Sequence, residues 1–173
     1  PNNINVYGNI SYWNVSNIID MSYMFYRNNL NEDISLWDVS NVTDMEAMFS
    51  NSIFNGDISK WVVGKVKNMD SMFANSCFDG DISEWDVGSV IYIDSIFEDS
   101  IFNGDISKWN VSNVKIMFSM FSYSKFNRDI SNWDVSNVEC MRYMFQHSIF
   151  NGDISKWDVS SIIYMDHMFN ENK

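Results

Sequence analysis

Apolar side chains recur along the chain at fixed positions of a 24-residue period. Seven tryptophans mark this period, and each lies 24 residues after the one before it: Trp13, Trp37, Trp61, Trp85, Trp109, Trp133 and Trp157. A fixed period of this length is typical of a repeat array, in which each unit packs on its neighbours instead of folding alone. We therefore predict a leader (1–5) followed by a single array (6–173), with repeats at 6–29, 30–53, 54–77, 78–101, 102–125, 126–149 and 150–173.

The third repeat shows which elements the pattern predicts. Apolar and polar residues alternate around Trp61 and Val63, which is typical of a short strand. From Val66 onward the apolar residues follow a spacing typical of a short helix or a 3₁₀ turn. We therefore predict a repeat solenoid with short parallel strands on one face and short helices or 3₁₀ turns on the other, each helix capped by residues equivalent to Ser40 or Asn41. The predicted core consists of Phe54, Ile58, Trp61, Val63, Val66, Met69, Met72 and Phe73 with their equivalents.

The skeleton of the repeat consists, in the third copy, of Ile58, Trp61, Val63, Val66, Met69, Met72, Phe73 and Ser76. This skeleton is similar to that of the BspA-like (Treponema-type) leucine-rich repeats, and the sequence of residues 150–160 resembles the subfamily found in mollicute surface lipoproteins. This resemblance implies a right-handed, leucine-rich-repeat-like solenoid. It also implies a cell-surface protein linked to adhesion or host contact, with no catalytic motif.

Composition and charge exclude several classes of protein. Hydrophobic residues make up 46% of the chain, which is too many for a disordered protein. No apolar run approaches the roughly 18 residues needed to span a bilayer, so we predict no direct membrane insertion by this segment. The net charge of −12 disfavours nucleic acid and anionic membranes as partners. Cys77 and Cys140 occupy different columns of the repeat, and we predict that both are free thiols.

Two columns flank each tryptophan and point away from it, and we call them together the charged face. We predict that this face, the exposed surface of the sheet, contacts a protein or a glycan. The alternative is a solvated face that is polar only to keep the protein monomeric. The first column holds Tyr12, Leu36, Lys60, Glu84, Lys108, Asn132 and Lys156, and the second holds Asn14, Asp38, Val62, Asp86, Asn110, Asp134 and Asp158.

A column of aspartates lies four residues before the tryptophans: Asp33, Asp57, Asp81, Asp105, Asp129 and Asp153. Stacked carboxylates repel one another, so something must offset the repulsion. One explanation is calcium, for which Asp79, Asp81 and Asp105 are weak candidates. The explanation that we favour is that each carboxylate accepts a hydrogen bond from a backbone N–H in its own turn.

No catalytic residues converge in this pattern, so we predict a protein that is not an enzyme and has no cofactor. The leading hypothesis is a surface-displayed binding or adhesion scaffold that contacts protein or glycan on a host or neighbouring cell. The alternative is a structural protein that assembles end to end through uncapped repeats into a filament or coat. Its predicted location is extracellular or on the cell surface, with the surface of a virion as an alternative.

Overall fold

The computed structural model of the protein describes residues 8–172, and within them the chain contains almost no regular secondary structure. The one helical element is a 3₁₀ turn, Ile10–Tyr12. No strand forms in this range. Six isolated parallel bridges instead join one column of the repeat to the same column of the next, at Asp20, Asp44, Asn68, Tyr92, Ile116, Cys140 and Tyr164. The predicted leucine-rich-repeat-like solenoid, with parallel strands on one face and helices on the other, is therefore wrong.

Tight turns on both sides of the tryptophan prevent a strand. In the third repeat, the Trp61 N–H donates to the Ile58 carbonyl at 3.1 Å, and the Val66 N–H donates to the Val63 carbonyl at 2.9 Å. The extended segment between these turns is too short to pair with a neighbour as a ladder. Alternation of buried and exposed side chains therefore survives around Trp61 without a sheet.

The predicted helix is replaced by a run of consecutive turns. Two residues of each repeat, four apart, have a positive φ, as do Ala47 (50°) and Asn51 (55°). This conformation is incompatible with a right-handed helix. Alternate N–H groups point out of the repeat: those of Met45, Ala47, Phe49 and Asn51 donate to the carbonyls of Asn68, Asp70, Met72 and Ala74 at 2.8–2.9 Å. The N–H groups between them, such as that of Met48, donate within the repeat.

This arrangement provides hydrogen-bond partners for the backbone N–H and C=O groups, and it also joins successive repeats. A helix would direct its N–H groups beyond the first turn to its own carbonyls, so they could not join one repeat to the next. The predicted helix caps are therefore wrong as well. The Ser40 N–H donates to the Asp38 carboxylate at 3.1 Å instead of the Ser40 side chain capping a helix.

The predicted core is confirmed in the third to sixth repeats, whereas some of its equivalents in the first and last repeats, such as Trp13 and Phe169, are 40% and 46% exposed. In the third repeat none of its eight core side chains is more than 4% exposed. The rings equivalent to Phe73 form a continuous stack, with Phe97 and Phe121 5.8 Å apart between centroids. The indole N–H groups of six tryptophans donate to a backbone carbonyl 27 residues earlier, at 2.9–3.2 Å, so each ring also ties two repeats together. Cys77 and Cys140 are free thiols, as predicted.

Candidate functional site: the charged face

The structure places both columns of the charged face on the surface, although no sheet lies beneath them. Leu36 and Asp38 are exposed, whereas Trp37 and Val39, which alternate with them, are buried. The same alternation holds in the inner repeats. The two columns share one surface, because Lys60, Val62, Glu84 and Asp86 line the same shallow depression.

The aspartates that precede the tryptophans are held by their own turns, as we predicted. The Asp57 carboxylate accepts a hydrogen bond from the Ser59 N–H at 2.9 Å. This bond, with the Ser59 hydroxyl, lowers the pKa of Asp57. The same 2.9–3.0 Å bond recurs at Asp33, Asp81, Asp105, Asp129 and Asp153. Local hydrogen bonds to the charged form therefore offset the repulsion along this column.

The calcium candidates do not form a ligand set. The Asp79 carboxylate accepts the N–H of Asn103 at 2.9 Å, whereas Asp81 and Asp105 each accept the N–H of a serine in their own turn. Over residues 8–172, no three His, Cys, Asp or Glu side chains are grouped as a metal would require. Each carboxylate serves the backbone instead.

Ion pairing across the charged face is sparse. Lys108 pairs with Glu84 of the preceding repeat at 2.7 Å, and both side chains are exposed. A pair of this kind contributes little to stability, because water screens it. The fixed charges of this face are thus available to an external partner.

Two half-buried acids on the opposite, turn-forming side were missed by the sequence analysis. The Asp70 carboxylate accepts the Asp94 N–H at 2.7 Å, and the Asp94 carboxylate accepts the Phe118 N–H at 3.2 Å. Burial raises the pKa of Asp70 to about 6, and the charges of Asp94, Glu46 and Asp44 add to this effect. Burial also raises the pKa of Asp94. These acids act within the stack, since each binds a backbone N–H of the next repeat.

The raised pKa of Asp70 predicts that Asp70→Asn stabilises the protein at neutral pH. The unfolded carboxyl titrates near 3.8 and the folded one near 6, so wild-type stability rises as pH falls through that window. Asparagine keeps the acceptor oxygen without the buried charge. A full shift of this size is worth about 3 kcal/mol, and solvent screening of the partly exposed side chain reduces the expected gain at pH 7 to about 1 kcal/mol.

Urea unfolding of both proteins between pH 4 and pH 8 measures this difference, which should shrink toward pH 4. Asp129→Asn is the matched control. Hydrogen bonds from Ser131 lower the pKa of Asp129, so its contribution to stability is lost as pH falls. A gain for Asp129→Asn equal to that for Asp70→Asn would contradict the assignment.

The turn-forming side also carries exposed apolar groups. Tyr92, Ile116, Phe118 and Tyr164 are exposed, and the half-buried Tyr143 contacts Phe118 edge to face, 5.5 Å between ring centroids. Exposed apolar groups on this side mark it as a candidate for a second contact surface.

A comparison with protein families identifies the family of the chain. The model of a family described as "Mycoplasma protein of unknown function, DUF285" matches residues 2–101 and again residues 75–173. The chain belongs to the DUF285 family. Two overlapping matches are expected for a repeat protein of this family. They confirm the predicted relation to mollicute repeat proteins. No curated protein and no solved structure matches this DUF285 chain. No helix within residues 8–172 has the length and apolarity needed to cross a membrane.

Proposed function

We propose that this protein is a surface-displayed, non-catalytic binding or adhesion scaffold that contacts protein or glycan through its charged face. The proposed role is that of the BspA-like surface proteins that its repeats resemble, without their leucine-rich-repeat geometry. One observation carries the proposal: a closely packed stack holds two columns of differing side chains on one exposed surface. Extended surfaces of this kind are how repeat proteins bind large partners.

The contrast between neighbouring columns supports this function. The tryptophan column is constant, and six of its seven indoles are buried and donate a hydrogen bond to the preceding repeat. The adjacent exposed column, with tyrosine, leucine, lysine, glutamate and asparagine among its members, has no such constraint from packing. A constant frame with a varied exposed column is an arrangement suited to recognition.

Arrays of extracellular proteins and glycans, followed by affinity measurement on the ligands found, test the proposal. The variant Lys60→Glu, Lys108→Glu and Lys156→Glu alters only the charged face, and we expect it to lose about tenfold or more in affinity. The matched control Lys67→Glu, Lys115→Glu and Lys125→Glu changes the net charge equally outside the charged face. Equal losses in both variants, or no ligand for the wild type, would overturn the proposal.

End-to-end assembly is the second candidate. Successive repeats inside the stack bind each other through bonds that recur in register, such as that from the Met45 N–H to the Asn68 carbonyl at 2.9 Å. A repeat of one molecule can in principle bind a repeat of another molecule in the same way. Light scattering over about a hundredfold dilution separates the candidates, since mass that grows with concentration puts assembly ahead of ligand binding.

A further inference from the structure

The regular charged face is interrupted at the third and fourth repeats. Val62 stands in a column that otherwise holds only aspartate or asparagine, and it is 64% exposed. Gly64 and Gly88 stand in a column that otherwise holds only serine. Around these replacements lies a shallow depression of about 330 Å³, which we call the notch; it is lined by residues that include Lys60, Trp61, Val62, Gly64, Glu84 and Asp86.

Glycine at position 88 leaves the carboxylate of Asp86 less satisfied than its equivalents. Asp134 accepts both the N–H and the hydroxyl of Ser136, the latter at 2.6 Å. Asp38 and Asp158 likewise bind the serine two residues later. Asp86 has only the Gly88 N–H, which donates to Oδ1 at 3.1 Å. Its second oxygen, Oδ2, therefore keeps its capacity to accept hydrogen bonds.

Glycine at position 64 leaves space for Asp86 Oδ2 at the notch. A Cβ on Gly64 would lie 3.2 Å from Asp86 Oδ2, closer than nearly all such contacts in proteins. The two other charged side chains that line the notch have different surroundings. Glu84 pairs with Lys108, and Lys60 lines a second small depression with Asp81 and Glu84. Within residues 8–172, no cationic side chain lies at ion-pair distance from Asp86.

We propose that the notch binds a basic side chain presented by a protein partner. Its aliphatic stem covers Val62, and its ammonium or guanidinium group donates to Asp86 Oδ2. Lysine and arginine pair an apolar stem with a charged head in this way. The net charge of −12 attracts such a partner at long range. This inference rests on the proposed function of the charged face and names the partner chemistry at one position of it.

A peptide titration followed by NMR tests the notch directly. The probe is acetyl-Gly-Lys-Gly-amide, and its norleucine counterpart has a similar stem without the charge. We expect the lysine peptide to shift the amide signals of Gly64 and Gly88 saturably, with a Kd in about the millimolar range. We expect the norleucine peptide to give shifts at least about threefold smaller, because it lacks the charged group.

Three variants make the test specific. Asp86→Asn should reduce the lysine-dependent shifts about threefold or more, because the charge is lost. Gly88→Ser should reduce them too, because it supplies the hydroxyl that holds the other aspartates of the column. Asp134→Asn, the same change in a satisfied member of the column, should leave them unchanged. The dispersion of the tryptophan indole signals reports whether each variant is folded. If Gly88→Ser does not fold, then Asp86→Asn alone is sufficient to test the notch.

Two results would contradict binding at the notch, because both indicate diffuse electrostatic attraction. One is that the lysine peptide shifts the signals of Asp38, Asp134 and Asp158 as strongly as those at the notch. The other is that the shifts are undiminished in Asp86→Asn. Failure of the proposed function looks different. If an array ligand is lost in the charged-face lysine variant but binds Asp86→Asn normally, then the function stands and the notch does not. If the lysine peptide binds at Asp86 but no macromolecule binds the wild type, then the notch stands and the function does not.

Discussion

Replacing Phe97 by alanine is expected to lower the free energy of unfolding by about 3–5 kcal/mol, as for other large aromatic truncations in a packed core. The Phe97 side chain is fully buried in the middle of the stack. Its ring centroid lies 5.8 Å from those of Phe73 and Phe121, and 4.1 Å from that of Phe102. Alanine removes contacts with the repeat itself and with both neighbouring repeats. Urea unfolding followed by tryptophan fluorescence measures the loss.

Phe169→Ala is the matched control, because Phe169 occupies the same column in the last described repeat. Its ring stacks on Phe145 at 5.7 Å and is 46% exposed. We expect a loss of about 1 kcal/mol or less, since much of the ring already contacts water. Equal losses for the two variants would show that the phenylalanine stack is not the continuous core that the structure indicates.

The core was predictable because its signal lies in side chains. Residues such as Phe54, Trp61 and Met69 recur at a strict period, and any stacking of repeats with this period places each over its equivalents. This inference does not depend on the backbone between them. Turn hydrogen bonds were predictable for a similar reason, since an aspartate two residues before a serine N–H can form its bond locally, as Asp57 does with Ser59.

The backbone could not be predicted because two conformations share one side-chain pattern. The spacing of Val66, Met69, Met72 and Phe73 places these residues on one side of a helix, and equally on one side of the consecutive turns that form here. What separates the two is the positive φ at residues such as Ser71 and Asn75, 55° and 50°. Asparagine tolerates this conformation, but serine gives no sequence signal for it.

The charged face could be predicted from the sequence pattern, whereas the buried acids could not. The exposure of Leu36 and Asp38 followed from alternation with the buried Trp37. The burial of Asp70 did not, because it depends on contacts with neighbouring repeats in a column that also holds Glu46, Phe118 and Arg142. A column with such different members gives no pattern from which a raised pKa can be inferred.

Deleting residues 78–101 is expected to leave a folded protein, whereas deleting residues 78–89 is expected to unfold it. The first deletion removes one 24-residue period and joins Cys77 to Phe102, which has the same place in its repeat as Phe78. The backbone and indole bonds between repeats can then re-form, because bonds such as that from Met45 to Asn68 and that from Trp61 to Ile34 depend only on register.

The 12-residue deletion removes half as much chain but shifts every later column by half a period. Apolar columns would then face polar ones, and the tryptophan after the junction would lose its carbonyl acceptor. Urea unfolding of both variants measures the outcome: the 24-residue deletion should unfold cooperatively with an m-value lower by roughly one-seventh, and the 12-residue deletion should show no such transition. Because the smaller deletion retains more residues, a greater loss of stability in it would come from the lost register. Equal stability of the two variants would mean that stacking in register does not hold the fold.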